Sequence, residues 1–154
     1  MKEIALKNGI VAMVDDEDHS ALVGRKWFLQ LGYAVCNEWR NGKRVHLKMH
    51  RMILGLELGD GIHGDHINGN RLDNQRKNLR RCTKAENNRN RPRQSNNTTG
   101  YKGVSRVSGT DKYRAQIKVN GKKVSLGRFD TAQEAYEKYC EAASQYHGEF
   151  IRQE

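Results

Sequence analysis

The stretch that decides the fold is HGDHINGNRLDNQRKNLRRCTKAENNRN, residues 63–90. It contains one Asp-His pair, many asparagines and cations, and too few apolar residues to form a core of its own. Asparagines at this density are typical of turns or of disorder. Whether these asparagines mark a loop or a site is decided by the order of the segments around them.

The stretch divides into strand, loop, strand and helix. Its first segment is extended and ends at the Asp-His pair, and turn-forming residues occupy the loop 67–78. A second short strand is predicted over 79–82, and the capping-box pattern Thr83-x-x-Glu86 then starts a helix. The polar residues at the corners of this unit are Asp65, His66, Asn78 and Asn87.

These corner residues are suited to the hydrolysis of a phosphodiester. A carboxylate and an amide oxygen can hold one Mg²⁺, a hard cation that prefers oxygen ligands and keeps several waters. A neutral histidine beside the cation, with an ordinary pKa of about 6.5, can take a proton from the attacking water. An asparagine across the loop can fix the orientation of the histidine or pin the loop itself, and both interpretations stay open.

The pattern DHINGN, NL and TKAEN, in this order, resembles the HNH endonuclease motif of phage and intron homing nucleases. It is similar to the variant Asp-His…Asn-Leu…Thr-x-x-Glu-Asn, in which asparagine replaces the last histidine. The resemblance implies that Asp65 and Asn87 bind the metal, one Mg²⁺ or Mn²⁺ per active site. It also implies that His66 is the general base and that Asn78 is the central asparagine that orders the loop. Gly64 departs from the pattern, because an apolar residue is more usual there.

Two further histidines are possible site residues. His50 lies in MHRMILGL, which resembles the His-Arg-hydrophobic helix that precedes the motif, and a packing role and an active-site role are equally expected. His63 alternates with Asp65 and can face the metal, although a solvent-facing position is favoured. Three loop asparagines are interpreted as turn residues without chemistry: Asn68, Asn70 and Asn74.

The charge of the chain favours a polyanionic partner. The 154 residues carry 28 Lys and Arg against 18 Asp and Glu, a formal net charge of +10, with a pI of about 9.7. The excess is concentrated in residues 61–100 and is weaker in the last third. DNA or RNA is therefore the first expected partner, and a solvated basic surface without a partner is the alternative that the charge alone leaves open.

Cysteine usage and hydropathy argue against other classes. Cys36, Cys82 and Cys140 are far apart and odd in number, so neither a disulfide framework nor a cysteine zinc site is supported. No apolar run approaches the roughly 20 residues that span a bilayer, and the N-terminal segment turns acidic where a signal peptide is apolar. The expectation is a soluble, cytoplasmic protein of a bacterial or phage-infected cell, without a membrane partner.

Residues 1–60 predict a small β-rich subdomain. An Asn-Gly turn joins two short N-terminal strands, and a short apolar helix over 49–56 closes the segment. Further strands are predicted near 26–30, 32–39 and 43–48. The nuclease-like unit then fills 61–93, and the polar run 94–99 has the composition of a linker.

Residues 100–154 predict a complete small module. YKGVSRV, KYRAQIKV and KKVSLGRF are three short strands separated by Ser-Gly and Asn-Gly turns. An amphipathic helix follows, which Asp130 or Thr131 can cap, and Glu134 can close a capping box on Thr131 while Gly148 can end the helix. The stripe expected to lie on the sheet is Ala132, Ala135, Tyr136, Tyr139, Ala143 and Tyr146.

This module resembles the DNA-binding domain of the plant ethylene-response-factor (APETALA) type over close to its whole length. In that family the three-stranded sheet lies in the DNA major groove, which implies that the strands contact DNA here as well. Tyr113 stands where tryptophan is common, so the base preference is not implied. The chain as a whole is predicted to be α+β: a β-rich subdomain, a ββα-metal nuclease unit, and a three-stranded antiparallel sheet packed on one helix.

Basic residues of both parts are the candidate DNA ligands. Around the nuclease motif they are Arg71, Arg76, Lys77, Arg80, Arg81 and Arg89. In the C-terminal module they are Lys102, Arg106, Arg114, Lys118 and Arg128.

The favoured hypothesis is a homing-type, metal-dependent HNH endonuclease that hydrolyses phosphodiester bonds in double-stranded DNA, with site selection by the C-terminal domain. Nicking and double-strand cleavage both stay open, since a monomer would nick and a weak dimer would cut both strands. The alternative is a sequence-specific DNA-binding regulator without nuclease activity, which binds in a salt-sensitive manner and does not cut. RNA is a weaker candidate, since the sequence offers no aromatic surface typical of single-strand binders.

Overall fold

A computed structural model describes residues 1–90 and 96–148 of the chain. The chain divides into two units, Met1–Asn87 and Asn88–Glu154. Small antiparallel sheets and short helices make up the described residues of both units, so the predicted α+β class is confirmed. The predicted boundaries at 93 and 94, and the last six residues of the predicted C-terminal module, lie outside the described residues.

An antiparallel hairpin begins the first unit. Strand β1 (Lys2–Ala5) pairs with β2 (Val11–Val14) around a short 3-10 turn, and helix α1 (Asp16–Val23) follows. This helix is absent from the sequence-based prediction, because its only buried residues are Asp18 and Leu22, too few for a periodic apolar stripe. The acidic side chains of its first turn favour the helix through the positive end of its dipole.

A three-stranded antiparallel sheet comes next, in the order β3 (Trp27–Gln30), β4 (Tyr33–Arg40) and β5 (Lys43–Lys48). The strands predicted from the alternation and from the turns at Leu31-Gly32 and Asn41-Gly42 are confirmed. All four turn residues have positive φ, which is the backbone of the tight turns that suit the twist of a hairpin.

Helix α2 (Met49–Ile53) follows β5 directly and is shorter than the predicted 49–56. The chain leaves the helix at Gly55, whose φ is 61°. One buried cluster joins the N-terminal hairpin, the three-stranded sheet and α2, with Val14, Trp27 and Met49 among its least exposed side chains. The β-rich segment therefore provides the core against which the nuclease-like stretch packs.

That stretch folds as the sequence predicts. Strand β6 (His63–His66) pairs with β7 (Leu79–Cys82) in antiparallel register, and helix α3 (Lys84–Arg89) follows. The capping box at its start is present, since Glu86 N donates to Thr83 Oγ1 at 3.2 Å and Thr83 N donates to Glu86 Oε2 at 2.7 Å.

The second unit contains a three-stranded antiparallel sheet and one long helix. The sheet order is β10 (Lys122–Phe129), β9 (Tyr113–Val119) and β8 (Val104–Arg106), and α4 (Ala132–His147) packs on its inner face. The predicted capping box is present.

The predicted stripe of α4 is wrong at Tyr146, whose exposed fraction is 51%. Ala142, which the prediction omits, is buried instead. Ala143 is the last fully buried residue of α4, since residues 144–146 are exposed and His147 is half-buried. Across residues 1–90 and 96–148, none of the helices combines the length and apolarity needed to cross a membrane.

Candidate active site

His66 is the buried centre of the polar cluster around β6. Its side chain is at the end of the strand and only 4% exposed, and its Nε2 atom lies 3.2 Å from Oδ1 of Asn74. An amide oxygen can only accept a hydrogen bond, so the neutral ring carries its proton on Nε2 and keeps a lone pair on Nδ1. Burial lowers the pKa of His66 below its ordinary value, and the hydrogen bond to Asn74 opposes part of that effect. The ring is therefore neutral near pH 7 and able to accept a proton.

Asn74 is held in place by the N-terminal hairpin. Its backbone N–H donates to the carbonyl of Met13 at 2.8 Å, and Met13 N–H donates to the carbonyl of Leu72 at the same distance. The side chain is 1% exposed and lies against His66, so the interpretation of Asn74 as only a turn residue is wrong. The one feature of the sequence that indicates a buried position for Asn74 is the run Leu72-Asp73-Asn74, in which an apolar residue interrupts the turn formers.

Asn78 pins the loop between the two strands. Its Oδ1 accepts from the backbone N–H of Asn68 at 2.9 Å, and its Nδ2 donates to the carbonyl of Asp73 at 2.8 Å. Of the two interpretations left open by the sequence, the geometry thus supports loop pinning for Asn78, while the contact with the histidine falls to Asn74. Asn68 and Asn70 form local turns, as predicted, because each accepts from the backbone N–H two residues ahead.

Asp65 and Arg80 form an ion pair across the strands. They are opposed in the register of β6 and β7, and the Nε and Nη2 atoms of Arg80 lie 2.9 Å and 2.8 Å from Oδ2 of Asp65. Their side chains are only 7% and 12% exposed. The carboxylate proposed to bind metal is therefore held by a guanidinium in this structure.

Asn87 approaches the same strand from α3. Its Nδ2 donates to the carbonyl of Gly64 at 3.4 Å, and its backbone N–H bonds to the carbonyl of Thr83. The first turn of the helix, set by the capping box, thus brings the amide of Asn87 beside the residue that precedes Asp65. The structure brings all four corner residues of the predicted unit onto β6, its loop and α3.

His50 packs directly on the candidate base. Its ring centroid is 4.8 Å from that of His66 and 5.2 Å from that of Tyr33. Burial, followed by the proximity of His66, lowers the pKa of His50 from 6.5 to about 2. A Cβ on Gly64 would lie 2.6 Å from Cδ2 of His50, which explains why this position departs from the apolar residue of the motif.

His63 is half-buried and lies at the start of β6, on the side of the strand that carries Asp65. Its carbonyl accepts a weak hydrogen bond from Sγ of Cys82 at 3.5 Å. The neighbouring strand thus fixes its backbone.

Comparison with known families assigns both units. Residues 44–89 match the HNH endonuclease family, and residues 99–149 match the AP2 domain family. The chain thus combines a segment that matches the HNH endonuclease family with a segment that matches the AP2 domain family. Both resemblances inferred from the motifs are thereby confirmed.

One curated relative supports the first assignment. An uncharacterized HNH endonuclease of Acanthamoeba polyphaga mimivirus is 32% identical over 127 residues, which cover 81% of this chain. The match spans 64% of the length of that relative. No solved structure matches the chain.

Several candidate DNA ligands of the HNH domain are engaged within the protein. Arg76 forms two hydrogen bonds to the carboxylate of Asp18, at 2.7 Å and 2.9 Å, and Arg81 Nε donates to the carbonyl of Leu54 at 3.1 Å. Arg80 holds Asp65, as described above. Arg71 and Lys77 are exposed, and the guanidinium of Arg71 donates to the carbonyl of Leu31 at 2.8 Å and lies 4.6 Å from the ring centroid of Tyr33.

The outer sheet face of the AP2 domain carries opposed like charges. Arg114 stands directly opposite Arg128, and Lys118 stands directly opposite Lys123, a cation that the sequence-based prediction omits. Like charges in register destabilise a sheet unless an anion lies over them. Ala115 and Ile117 alternate with these cations and are buried on the helix side.

Other predicted cations of the Asn88–Glu154 unit have partners at the edge of the sheet. Lys102 donates to the carbonyl of Arg89 at 2.6 Å, and Arg106 pairs with Asp111 at 2.8 Å in an exposed salt bridge. Exposed pairs of this kind contribute little and exchange readily for a phosphate.

The residues of the HNH domain fit a hard cation with few protein ligands. Asp65 offers a carboxylate, and Asn87 offers an amide oxygen, since its nitrogen is the atom directed at Gly64. Within residues 1–90 and 96–148, no group of three or more His, Cys, Asp or Glu side chains is arranged to hold a metal. This donor set suits a cation such as Mg²⁺ that keeps several of its waters, and does not suit zinc.

Proposed function

We propose that the chain is a homing-type, metal-dependent DNA endonuclease, acting inside the cell on double-stranded DNA. In this proposal the HNH domain hydrolyses a phosphodiester bond and the AP2 domain selects the site. The observation that carries it is the buried, neutral His66, bonded to Asn74 on one ring nitrogen and adjacent in the chain to Asp65.

His66 acts as the general base. Its Nδ1 takes a proton from the attacking water, while the bond from Nε2 to Asn74 keeps the ring in the tautomer that leaves Nδ1 free of a proton. Asn78 keeps the loop closed around this arrangement through its two backbone partners. The ring of His50 fills the space beside His66 and limits its rotation.

Asp65 and Asn87 are the proposed ligands of one Mg²⁺ or Mn²⁺. A bound cation would polarise the phosphate and stabilise the leaving oxygen. Arg80 keeps the carboxylate of Asp65 in position until the cation and the phosphate arrive, and its guanidinium can then turn towards the phosphate oxygens. His63, on the Asp65 side of β6, stays a possible further site residue.

The AP2 domain supplies the sheet that reads DNA in this proposal. The opposed pairs formed by Arg114 with Arg128 and by Lys118 with Lys123 make the outer face strongly positive. In the HNH domain, Arg71 and Lys77 are exposed and are proposed to hold the backbone of the substrate. Arg76 and Arg81, bonded to Asp18 and to the carbonyl of Leu54, are proposed to hold the fold instead of the substrate.

Supercoiled plasmid containing a genomic library, incubated with the full chain and Mg²⁺, tests the proposal. Open-circular product demonstrates nicking and linear product demonstrates double-strand cleavage, while end-sequencing gives the site. A single active site per chain predicts nicking by a monomer, and linear product whose yield rises steeply with protein concentration would indicate a weak dimer.

The rival function is a DNA-binding regulator, and the ion pair between Asp65 and Arg80 is the observation that favours it. That pair satisfies the carboxylate without a metal. Tight, salt-sensitive binding to a selected sequence, with intact plasmid in Mg²⁺ and in Mn²⁺, would establish the rival and refute the nuclease.

A further inference from the structure

The hairpin of β4 and β5 extends beyond the sheet to which it belongs. β3 pairs with β4 only from Tyr33 to Cys36, whereas β4 and β5 stay paired as far as Arg40 and Lys43. Residues 37–46 therefore form a two-stranded ribbon that projects past β3. At about 3.3 Å per residue, each strand of the ribbon reaches about 13 Å.

One face of this ribbon is basic and aromatic. Trp39 stands opposite Arg44, and Asn37 stands opposite His46. Directly opposed residues lie on the same face of a sheet, so these four side chains share one face, and along the described ribbon that face holds no carboxylate. All four are exposed.

The acidic residue of the ribbon, Glu38, lies on the opposite face. Glu38 points away from Trp39 and pairs with Arg25 at 2.8 Å and with Arg40 at 2.8 Å. Its charge is thereby neutralised by two cations of its own face. The field on the Trp39 face is left positive.

Trp39 is the most unusual member of the face. Its exposed fraction is 73%, whereas the other tryptophan, Trp27, is 2% exposed and lies in the core. A large aromatic side chain held in solvent beside an arginine, at the end of a rigid hairpin, marks a contact surface rather than a fold requirement.

The face continues towards the candidate active site. Lys48, opposite Val35 on the same face, lies with its Nζ atom 4.3 Å from the ring centroid of Tyr33. The ring of Tyr33 is in turn 6.0 Å from that of His66, and Arg71 lies over it. A track of cations and aromatic rings thus leads from the ribbon to the proposed base.

We propose that the ribbon of residues 37–46 lies in the major groove of duplex DNA on one flank of the scissile phosphate. The major groove, about 12 Å wide, admits a two-stranded ribbon. Arg44 contacts phosphates or base edges, Trp39 packs against the groove wall, and Lys48 with Arg71 holds the backbone next to His66. This inference rests on the proposed function, because the track ends at the proposed base.

Tryptophan fluorescence tests the inference in the full chain, in EDTA and without cleavage. Trp27 and Trp39 are the only tryptophans of the chain and neither is in the AP2 domain, so DNA bound by that domain alone leaves both unchanged. The probe is a duplex carrying the site mapped by end-sequencing, or random-sequence duplex if no site is found. We expect saturating DNA to quench Trp39 and to reduce its acrylamide quenching constant several-fold.

Two variants and a matched control sharpen the result. Trp39→Phe should abolish the DNA-dependent signal, which assigns it to Trp39 and not to Trp27. Arg44→Ala should lower the magnitude of the slope of log K against log salt by about 0.9, the contribution of one phosphate contact. Lys7→Ala, an exposed cation outside the ribbon, should leave the slope unchanged. Thermal melts establish that each variant is folded.

The outcomes separate this inference from the proposed nuclease. Trp39 that stays fully accessible in the saturated complex overturns the ribbon inference, even if the plasmid is cut. Protection of Trp39 with an intact plasmid supports the ribbon as a DNA contact and refutes only the nuclease. Equal or stronger protection by duplex RNA of the same sequence overturns the assignment to DNA, because the deep, narrow major groove of RNA does not admit the ribbon.

Discussion

The Nε2 atom of His66 lies 3.2 Å from Oδ1 of Asn74, eight residues further along the chain. Both side chains are buried, and the backbone of Asn74 is tied to Met13 of β2. The orientation of the proposed base is therefore set from outside the motif that contains it.

Replacing the proposed base should stop cleavage and leave binding intact. We expect His66→Ala to lower the rate of plasmid cleavage in Mg²⁺ by about 10²- to 10⁴-fold, the usual contribution of a general base. Affinity for duplex DNA, measured by fluorescence anisotropy in EDTA, should stay within about twofold, because His66 is buried. His19→Ala, at a half-exposed histidine of α1, is the control and should cut normally. Normal cutting by His66→Ala would eliminate this mechanism.

Removing the partner of the base should slow the chemical step. Asn74→Ala leaves the Nε2 proton of a buried ring without its acceptor, so we expect kcat to fall about tenfold or more while KM changes little. The free energy of unfolding should fall by about 1–3 kcal/mol. Asn74→Asp keeps an acceptor oxygen and should restore much of kcat.

A structural role alone would not change the tautomer of His66. The ¹⁵N chemical shifts of its ring should report a proton on Nε2 in the wild type and a mixture of tautomers in Asn74→Ala. Asn70→Ala, which removes an acceptor used only by the backbone of the loop, is the matched control. Unchanged shifts and an unchanged kcat in Asn74→Ala would show that Asn74 does not position the base.

Loss of Arg80 should make stability depend on the divalent cation. Arg80→Gln removes the guanidinium from a nearly buried carboxylate, so we expect a loss of about 3 kcal/mol in the free energy of unfolding in EDTA. Millimolar Mg²⁺ should return part of that loss, because a bound dication replaces the missing charge. Urea unfolding with and without Mg²⁺ measures both effects. Arg25→Gln, which breaks an exposed pair with Glu38, is the control, and its free energy of unfolding should not depend on Mg²⁺. If the free energy of unfolding of Arg80→Gln is also independent of Mg²⁺, Asp65 is not a metal ligand.

Acid should destabilise the HNH domain through His50. The pKa of His50 is about 2 in the folded state and about 6.5 in the unfolded chain, so protons bind preferentially to the unfolded chain. Its contribution is fully present above pH 6.5 and is lost as pH falls below it, by up to about 1.4 kcal/mol per pH unit. Urea unfolding between pH 7 and pH 5 measures the slope. His50→Gln should reduce the slope of the free energy of unfolding against pH by that amount, and the control His19→Gln should leave it unchanged. Equal slopes in the wild type and both variants would show that His50 is not buried in the neutral form.

The opposed cations of the AP2 sheet should lower the stability of the fold and raise its affinity for DNA. Arg114→Ala relieves the repulsion with Arg128, so the free energy of unfolding should stay constant or rise, while affinity for the mapped duplex should fall about tenfold. Urea unfolding and fluorescence anisotropy measure the two quantities. Lys138→Ala, at an exposed residue of α4 that pairs with Glu141, serves as the charge-matched control. Unchanged affinity in Arg114→Ala would remove this face from the DNA contact.

Local signals account for what the sequence predicts well. Alternating apolar residues and Asn-Gly turns locate the strands of both sheets, and the Thr-x-x-Glu pattern locates the starts of α3 and α4, because turn and cap chemistry depends on neighbouring residues alone. The order of Asp65, His66, Asn78 and Asn87 predicts a unit that the structure does assemble. The roles assigned to these four residues stay predictions.

Long-range contacts account for what the sequence does not predict. Arg76 is expected to contact phosphate and instead holds Asp18, 58 residues earlier, while Arg80 holds Asp65 across a sheet. Asn74 lies among turn formers, as Asn68 and Asn70 do, and apart from the preceding Leu72 only the distant strand β2 distinguishes it. A surface cation and an internal ion-pair partner look alike in a sequence, because the difference lies in a residue far along the chain.

The bridge from Met13 to the loop bears on how far this motif can be moved as a module. The segment matched to the HNH family begins at residue 44, whereas the strand that fixes Asn74 ends at Val14. A graft of residues 44–89 into another scaffold would carry the four motif residues and lack the strand edge that aligns the base. Transplantation of the activity would need the N-terminal hairpin as part of the cassette.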